Sequence, residues 1–145
     1  MFRSVSLHRV WHAWLLGSIL VAWATADEDF YSAHFISGWS ALIAIVLRII
    51  IGLRVSGQGP WKLPFLKLGV PFGNVKALAV VGTCLIVTLV MSGATGVLAD
   101  TIPAMEDPHE AASEAALAVI GAHVLLVFWI FGLRKVVERL GKASA

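Results

Sequence analysis

Four long apolar stretches alternate with short polar segments along the whole chain. The hydrocarbon core of a bilayer needs about 20 consecutive apolar residues in a helix, and lipid offers no partner to exposed backbone groups, so segments of this length are helical. The pattern therefore predicts an all-α protein, an integral membrane four-helix bundle that forms one domain over residues 1–145. The predicted helices cover about residues 8–26, 32–54, 75–99 and 108–137.

Basic and acidic residues lie in different connections between these stretches. All 11 Lys and Arg residues lie before or at the start of the first stretch, between or at the facing ends of the second and third, or at the end of the fourth and after it. Eight of the 9 acids lie between the first and second stretches, or between the third and fourth and in the first turns of the fourth: Asp27, Glu28, Asp29, Asp100, Glu106, Asp107, Glu110 and Glu114. Lys and Arg close to the ends of spans are retained in the cytoplasm, so both termini are predicted to be cytoplasmic.

Composition supports a membrane domain and excludes several kinds of site. The chain is 59% hydrophobic and only 14% charged, whereas a soluble domain has about a quarter of its residues charged. The basic residues flank the spans, so we expect no nucleic-acid partner. Cys84 is the only cysteine, which excludes an intrachain disulfide, an iron–sulfur cluster held by this chain alone and the attachment motif of a c-type haem.

The two chain segments that precede the first and last spans carry local signals. Arg3 and Arg9, an apolar run and then small residues near Ala26 also fit a secretory signal peptide. The polar start of that run favours a retained helix instead. Before the last span, Asp107 is predicted to be the N-cap of the helix, with Pro108 in its first turn.

The five histidines have an informative placement. His109 and His123 are 14 residues apart on one predicted helix, which puts them on nearly the same face and about 21 Å apart along its axis. His34 opens the second span at the outer level of His109, and His12 enters the first span toward the inner level of His123. Ionisable groups inside spans are costly and usually functional. The four residues therefore predict two histidine pairs at two depths.

A pair of opposed imidazoles is what a six-coordinate b-type haem needs, and such ligands converge in bundle cores. Gly38, one turn after His34, would make room for a flat macrocycle, although small residues also let membrane helices approach. Arg48 lies 14 residues after His34 on the same face. Its guanidinium would pair with a haem propionate or extend to the inner interface.

Four sequence motifs, in this order, resemble the bacterial cytochrome b561 and nickel–iron hydrogenase b-type cytochrome subunit family. They are Arg9-Val10-Trp11-His12-Ala13-Trp14, the run from His34-Phe35-Ile36-Ser37-Gly38 to Arg48, Ser92-Gly93-Ala94-Thr95-Gly96, and His109-Glu110 followed by His123. The resemblance covers nearly the whole chain. It implies a bacterial inner-membrane protein with two haem b groups, the inner one bound by His12 and His123 and the outer one by His34 and His109. It assigns His8 to the inner site if the register is displaced.

The resemblance implies electron transfer between a quinone pool and a redox partner such as a c-type cytochrome, within a larger complex. We expect no catalytic residue in this chain, because it has no acid/base pair in a span and no nucleophile with a base. Two alternatives stay open. One is a free-standing quinone-coupled oxidase of superoxide or another small reductant, and the other is a non-haem metal-binding or structural membrane protein.

Overall fold

The computed structural model of the chain describes residues 2–55, 61–67, 69 and 73–133. Four α-helices account for most of these residues: α1 (Phe2–Ala24), α2 (Tyr31–Arg54), α3 (Asn74–Ala99) and α4 (Glu106–Phe128). Short 3-10 turns precede α2 and α4 and lie between α2 and α3, and a π-helical turn, Trp129–Leu133, follows α4. The described residues contain no strand, so this part of the chain is all-α.

The two ends of α4 differ from the sequence-based expectation. The helix begins at Glu106, and its N-cap is Met105 with no side-chain cap hydrogen bond, so the prediction of Asp107 as N-cap is wrong. The preceding 3-10 turn Pro103–Met105 leads directly into α4, which removes the need for a capping side chain. At the other end the backbone widens into the π turn. The predicted end near residue 137 lies outside the described residues, as do the four basic residues that follow Leu133.

Three helical segments are long and apolar enough to cross a membrane. They are Tyr31–Arg54, Asn74–Ala99 and Pro103–Gly132, the last of which includes the turns on either side of α4. Helix α1 is 23 residues long but is not one of the three, because Arg3, His8, Arg9 and His12 make its first half polar. It begins at Phe2, earlier than the predicted start near residue 8.

The helices run alternately up and down as two hairpins. Helix α1 packs mainly against α2, and α3 packs mainly against α4, while α2 and α3 join the hairpins. The acidic end is the end of the bundle where α1 and α3 finish and α2 and α4 begin, and the basic end is the opposite end, where Arg54 and Lys76 lie.

Apolar packing and hydrogen bonds hold α1 against α2. Leu15, Ala44 and Ile45 form a buried cluster between them. The indole N–H of Trp11 donates to the Ala44 carbonyl at 2.9 Å, and that of Trp14 donates to the Ser40 hydroxyl at 2.9 Å. Interhelical hydrogen bonds and small residues are the usual means of helix association in lipid. Many large apolar side chains elsewhere are exposed, as a lipid-facing surface requires.

Candidate paired-histidine site

A chamber of about 670 Å³ lies between the two hairpins at the acidic end. All four helices contribute to its walls, which are mainly apolar and aromatic. His34 on α2 and His109 on α4 both line it. Cavities that hold a cofactor or a ligand of moderate size are typically about 300–1,000 Å³ and mostly apolar with a few polar groups. The chamber therefore has the size and lining of a cofactor site.

The imidazoles of His34 and His109 approach each other across this chamber. Their ring centroids are 6.1 Å apart and the rings are nearly perpendicular, with an interplanar angle of 78°. A metal–imidazole nitrogen bond is about 2.0–2.1 Å, so two opposed imidazoles that share one metal ion have centroids about 6 Å apart. The observed separation of the ring centroids matches that of such a pair.

Hydrogen bonds fix the protonation of both rings. Nδ1 of His34 lies 2.8 Å from the Ala22 carbonyl, and Nδ1 of His109 lies 2.9 Å from the Ser92 carbonyl. A carbonyl only accepts, so each Nδ1 must carry the proton, and in the neutral ring Nε2 keeps its lone pair. Metal-bound histidines characteristically donate their other ring N–H in this way, which fixes tautomer and orientation.

The carbonyl that anchors His34 is available because of where α1 ends. Ala22 lies in the last turn of α1, which finishes at Ala24, and carbonyls in a last turn have no intrahelical partner. The Ala22 carbonyl accepts the Nδ1–H of His34 at 2.8 Å from the neighbouring helix, and the Thr25 hydroxyl lies 3.5 Å from the same oxygen. The same bond ties α2 to α1 at the acidic end, so the position of the His34 ring depends on the α1–α2 hairpin.

Gly38 lines the chamber one turn after His34. A Cβ built at this position meets no protein atom within 4 Å. Gly inside a helix is about 1 kcal/mol less favourable than Ala, and here no close approach of another helix explains it. The absence of a side chain instead leaves the chamber wide beside His34, which fits a flat group between the two imidazoles.

The mouth of the chamber is acidic. Asp100, Glu106, Glu110 and Glu114 line the chamber, and no Lys or Arg is part of the described lining. The Tyr31 hydroxyl donates to Asp100 Oδ1 at 2.5 Å, which joins the start of α2 to the end of α3 across the mouth. The chamber is therefore a poor place for an anionic reductant, and a haem propionate would find no cation there.

At the basic end, His12 on α1 and His123 on α4 make no ring contact with each other among the described residues, and the rings next to His12 are those of His8 and Trp11. Nδ1 of His12 is 3.3 Å from the His8 carbonyl in its own helix. Nδ1 of His123 is buried and has no hydrogen-bond partner among the described residues. A buried polar atom without a partner is costly and needs an explanation. The His8 ring lies against the rings of His12 and Trp61, with centroids 4.5 and 5.1 Å away.

Arg48 is 6% exposed, and its guanidinium binds the connection that follows α2. Nη1 donates to the Trp61 carbonyl at 2.6 Å and Nη2 to the Lys62 carbonyl at 3.2 Å. The guanidinium carbon also lies 5.7 Å from the ring centroids of both Trp11 and Trp61. Arg48 thus fastens residues 61–62 to the helices. A haem propionate at this position would have to share the guanidinium with these carbonyls.

The backbone partners of the histidines were not accessible from the sequence. Ala22 and Ser92 contribute carbonyl oxygens, which every residue has, so no residue type marks them. The Tyr31–Asp100 bond joins residues 69 positions apart and was also missed. The acidic residues in the two connections at the acidic end were a weak sequence signal for this bond. Among the described residues, His, Cys, Asp and Glu form no group of three or more that could hold a metal ion.

Comparison with known proteins gives no match: no family model, no curated protein and no solved structure matches this chain.

Proposed function

We propose that this protein is a di-haem b-type cytochrome that carries electrons across the bacterial inner membrane as a subunit of a larger complex. One observation carries the proposal. His34 and His109 meet at 6.1 Å inside a chamber of about 670 Å³, with both Nδ1 atoms committed to carbonyls. Each ring can therefore offer Nε2 to iron.

The chain's own contribution is to hold and orient the ligands. His34 and His109 would bind one haem at the acidic end, and His12 and His123 would bind the other at the basic end. Haem iron, when bound, supplies a one-electron couple whose potential depends on ligand, burial and nearby charge. The Nδ1–H bonds make the imidazoles more basic, and the carboxylates at the mouth favour the oxidised, more positive state of the acidic-end site.

The charge distribution supports the proposed orientation and partners. In our proposal α1 also crosses the membrane, in addition to the three more apolar segments. Both termini are then cytoplasmic, and the acidic end faces the periplasm. An acidic mouth suits a basic redox protein such as a c-type cytochrome, steered by charge. Quinone is the proposed membrane-soluble partner. The four carboxylates of the chamber favour this relay over an oxidase of the superoxide anion, which they would repel.

The test is a visible spectrum of the purified full-length protein, recorded before and after reduction with dithionite, together with haem and metal analysis. Two b-type haems per chain support the proposal. Zinc or copper without haem would instead support the non-haem alternative. Turnover of quinone with superoxide by the isolated chain would support the oxidase.

A further inference from the structure

Ser92 and Gly96 lie one turn apart on α3. They face His109 and Ser113, which lie one turn apart on α4. The Ser92 carbonyl accepts the Nδ1–H of His109, with 2.9 Å between the two heavy atoms, and the Ser92 hydroxyl lies 2.8 Å from the Ser113 hydroxyl. One turn further along α3, Gly96 lies against the His109 ring. Ser92 and Gly96 together form a platform for the imidazole, which we call the α3 platform.

The contact between Gly96 and the ring leaves no room for a side chain. A Cβ at Gly96 would lie 2.9 Å from Cε1 and 3.1 Å from Nδ1 of His109. Real Cβ atoms essentially never come closer than 3.0 Å to another heavy atom. The imidazole is rigid and planar, so it cannot bend away. It can only rotate or move together with α4.

Neither movement is free. Rotation of the ring breaks the Nδ1–H bond to the Ser92 carbonyl, which is the bond that keeps the proton off Nε2. Separation of α4 from α3 breaks the Ser92–Ser113 contact. Gly93 is different, because a Cβ there would meet Cδ1 of Leu42, the far end of a flexible side chain that can change rotamer.

We propose that Gly96 is a positioning residue for His109: the bare α-carbon lets the imidazole lie flat on the α3 platform while Ser92 holds its Nδ1–H. The proposal rests on the proposed function in that His109 is taken to be an axial ligand. Gly is less favourable than Ala within a helix, and at Gly96 the close contact with His109 accounts for its presence.

The variant that tests this is Gly96→Ala in the full-length protein, with Gly17→Ala as the matched control. Gly17 is also inside a helix, and a Cβ there meets nothing within 4 Å. We expect Gly96→Ala to abolish or shift the low-spin electron paramagnetic resonance signal of the acidic-end haem and to leave the basic-end signal unchanged. Gly17→Ala should retain both signals. An unchanged acidic-end signal in Gly96→Ala would overturn the proposal.

A second measurement separates a local clash from general damage. Thermal loss of helical circular dichroism is compared for the wild type, Gly96→Ala, His109→Ala and the double variant. We expect Gly96→Ala to lower the midpoint when His109 is present and to leave it unchanged or slightly higher when His109 is Ala, because the clash then has no partner. If Gly96→Ala alone does not accumulate, the double variant should restore the yield. An equal loss in both backgrounds overturns the proposal.

Different measurements would contradict the proposed haem binding and the proposed role of Gly96. If the proposed haem binding is wrong, the wild type itself lacks a b-type spectrum, and the thermal comparison still tests the Gly96–His109 contact. If only the positioning role is wrong, the wild type has both haem signals and Gly96→Ala retains them.

Discussion

The rings of His34 and His109 come within 6.1 Å of each other although they belong to different hairpins. Each ring is held by a carbonyl of the other helix in its own hairpin, Ala22 for His34 and Ser92 for His109. The spacing of the two rings is therefore set by how the hairpins pack.

Replacement of His109 by Ala should remove the acidic-end haem and leave the basic-end haem bound, because the two histidine pairs are at opposite ends of α4. His34→Ala should have the same effect. The measurement is the haem content per chain together with the reduced-minus-oxidised spectrum, which should lose about half of its amplitude if the two haems absorb alike. Retention of both haems in both variants would contradict the assignment of this pair.

At the basic end, His12→Ala and His123→Ala should each remove the haem at that end, whereas His8→Ala should retain it. His8 is one turn from His12 and packs against it and Trp61, so its loss alters packing around the ligand. The haem content of the three variants shows whether His12 or His8 is the ligand on α1. The opposite result, loss of the haem in His8→Ala and its retention in His12→Ala, would show that His8 is the ligand instead.

Gly38→Ala should weaken haem binding at the acidic end without lowering the stability of the fold. The added Cβ meets no protein atom, and Ala stabilises a helix interior by about 0.5–1 kcal/mol relative to Gly. We therefore expect an unchanged or slightly higher unfolding midpoint in the haem-free protein. Occupancy of the acidic-end haem should fall, because the methyl group enters the chamber.

The control for this prediction is Gly17→Ala, which adds the same methyl group at a position outside the chamber lining. It should gain helix stability without loss of haem. Equal haem content in Gly38→Ala and Gly17→Ala would show that the space beside His34 is not used by a bound group.

Arg48→Lys should release the connection at the basic end. A lysine cannot reproduce the fork with which Arg48 binds two carbonyls, and unsatisfied buried groups cost about 1–3 kcal/mol each. We expect a lower unfolding midpoint and faster tryptic cleavage after Lys62. Arg54→Lys is the control, since Arg54 is exposed. Cleavage at the wild-type rate in Arg48→Lys would contradict the role of Arg48 as a fastener.

The orientation of the bundle is testable with reporter fusions to the full chain. If α1 spans the membrane, alkaline phosphatase inserted after Asp27 should be active, and a fluorescent protein at the C terminus should fold in the cytoplasm. The physical reason is the retention of Lys and Arg on the cytoplasmic side. An inactive phosphatase insertion together with a C-terminal fusion that does not fluoresce would place α1 on the cytoplasmic surface, because the three remaining spans would then carry the C terminus to the periplasm.

The sequence by itself determined the features that depend on neighbouring residues. The apolar runs predicted α2 and α3 almost to the residue, because length and hydropathy are local properties. The spacing of His109 and His123 likewise follows from the geometry of one helix. The start of α4 was missed by two residues, since a 3-10 turn rather than a capping side chain precedes it.

Only the tertiary structure decided which atoms meet. The carbonyls that fix the His34 and His109 tautomers, the fit of the His109 ring on Gly96 and the turn of Arg48 toward Trp61 all join different segments. They depend on the rotation and axial offset of one helix against another. A shift of one residue rotates a helical side chain by about 100°, so no pattern within a single helix can specify these contacts.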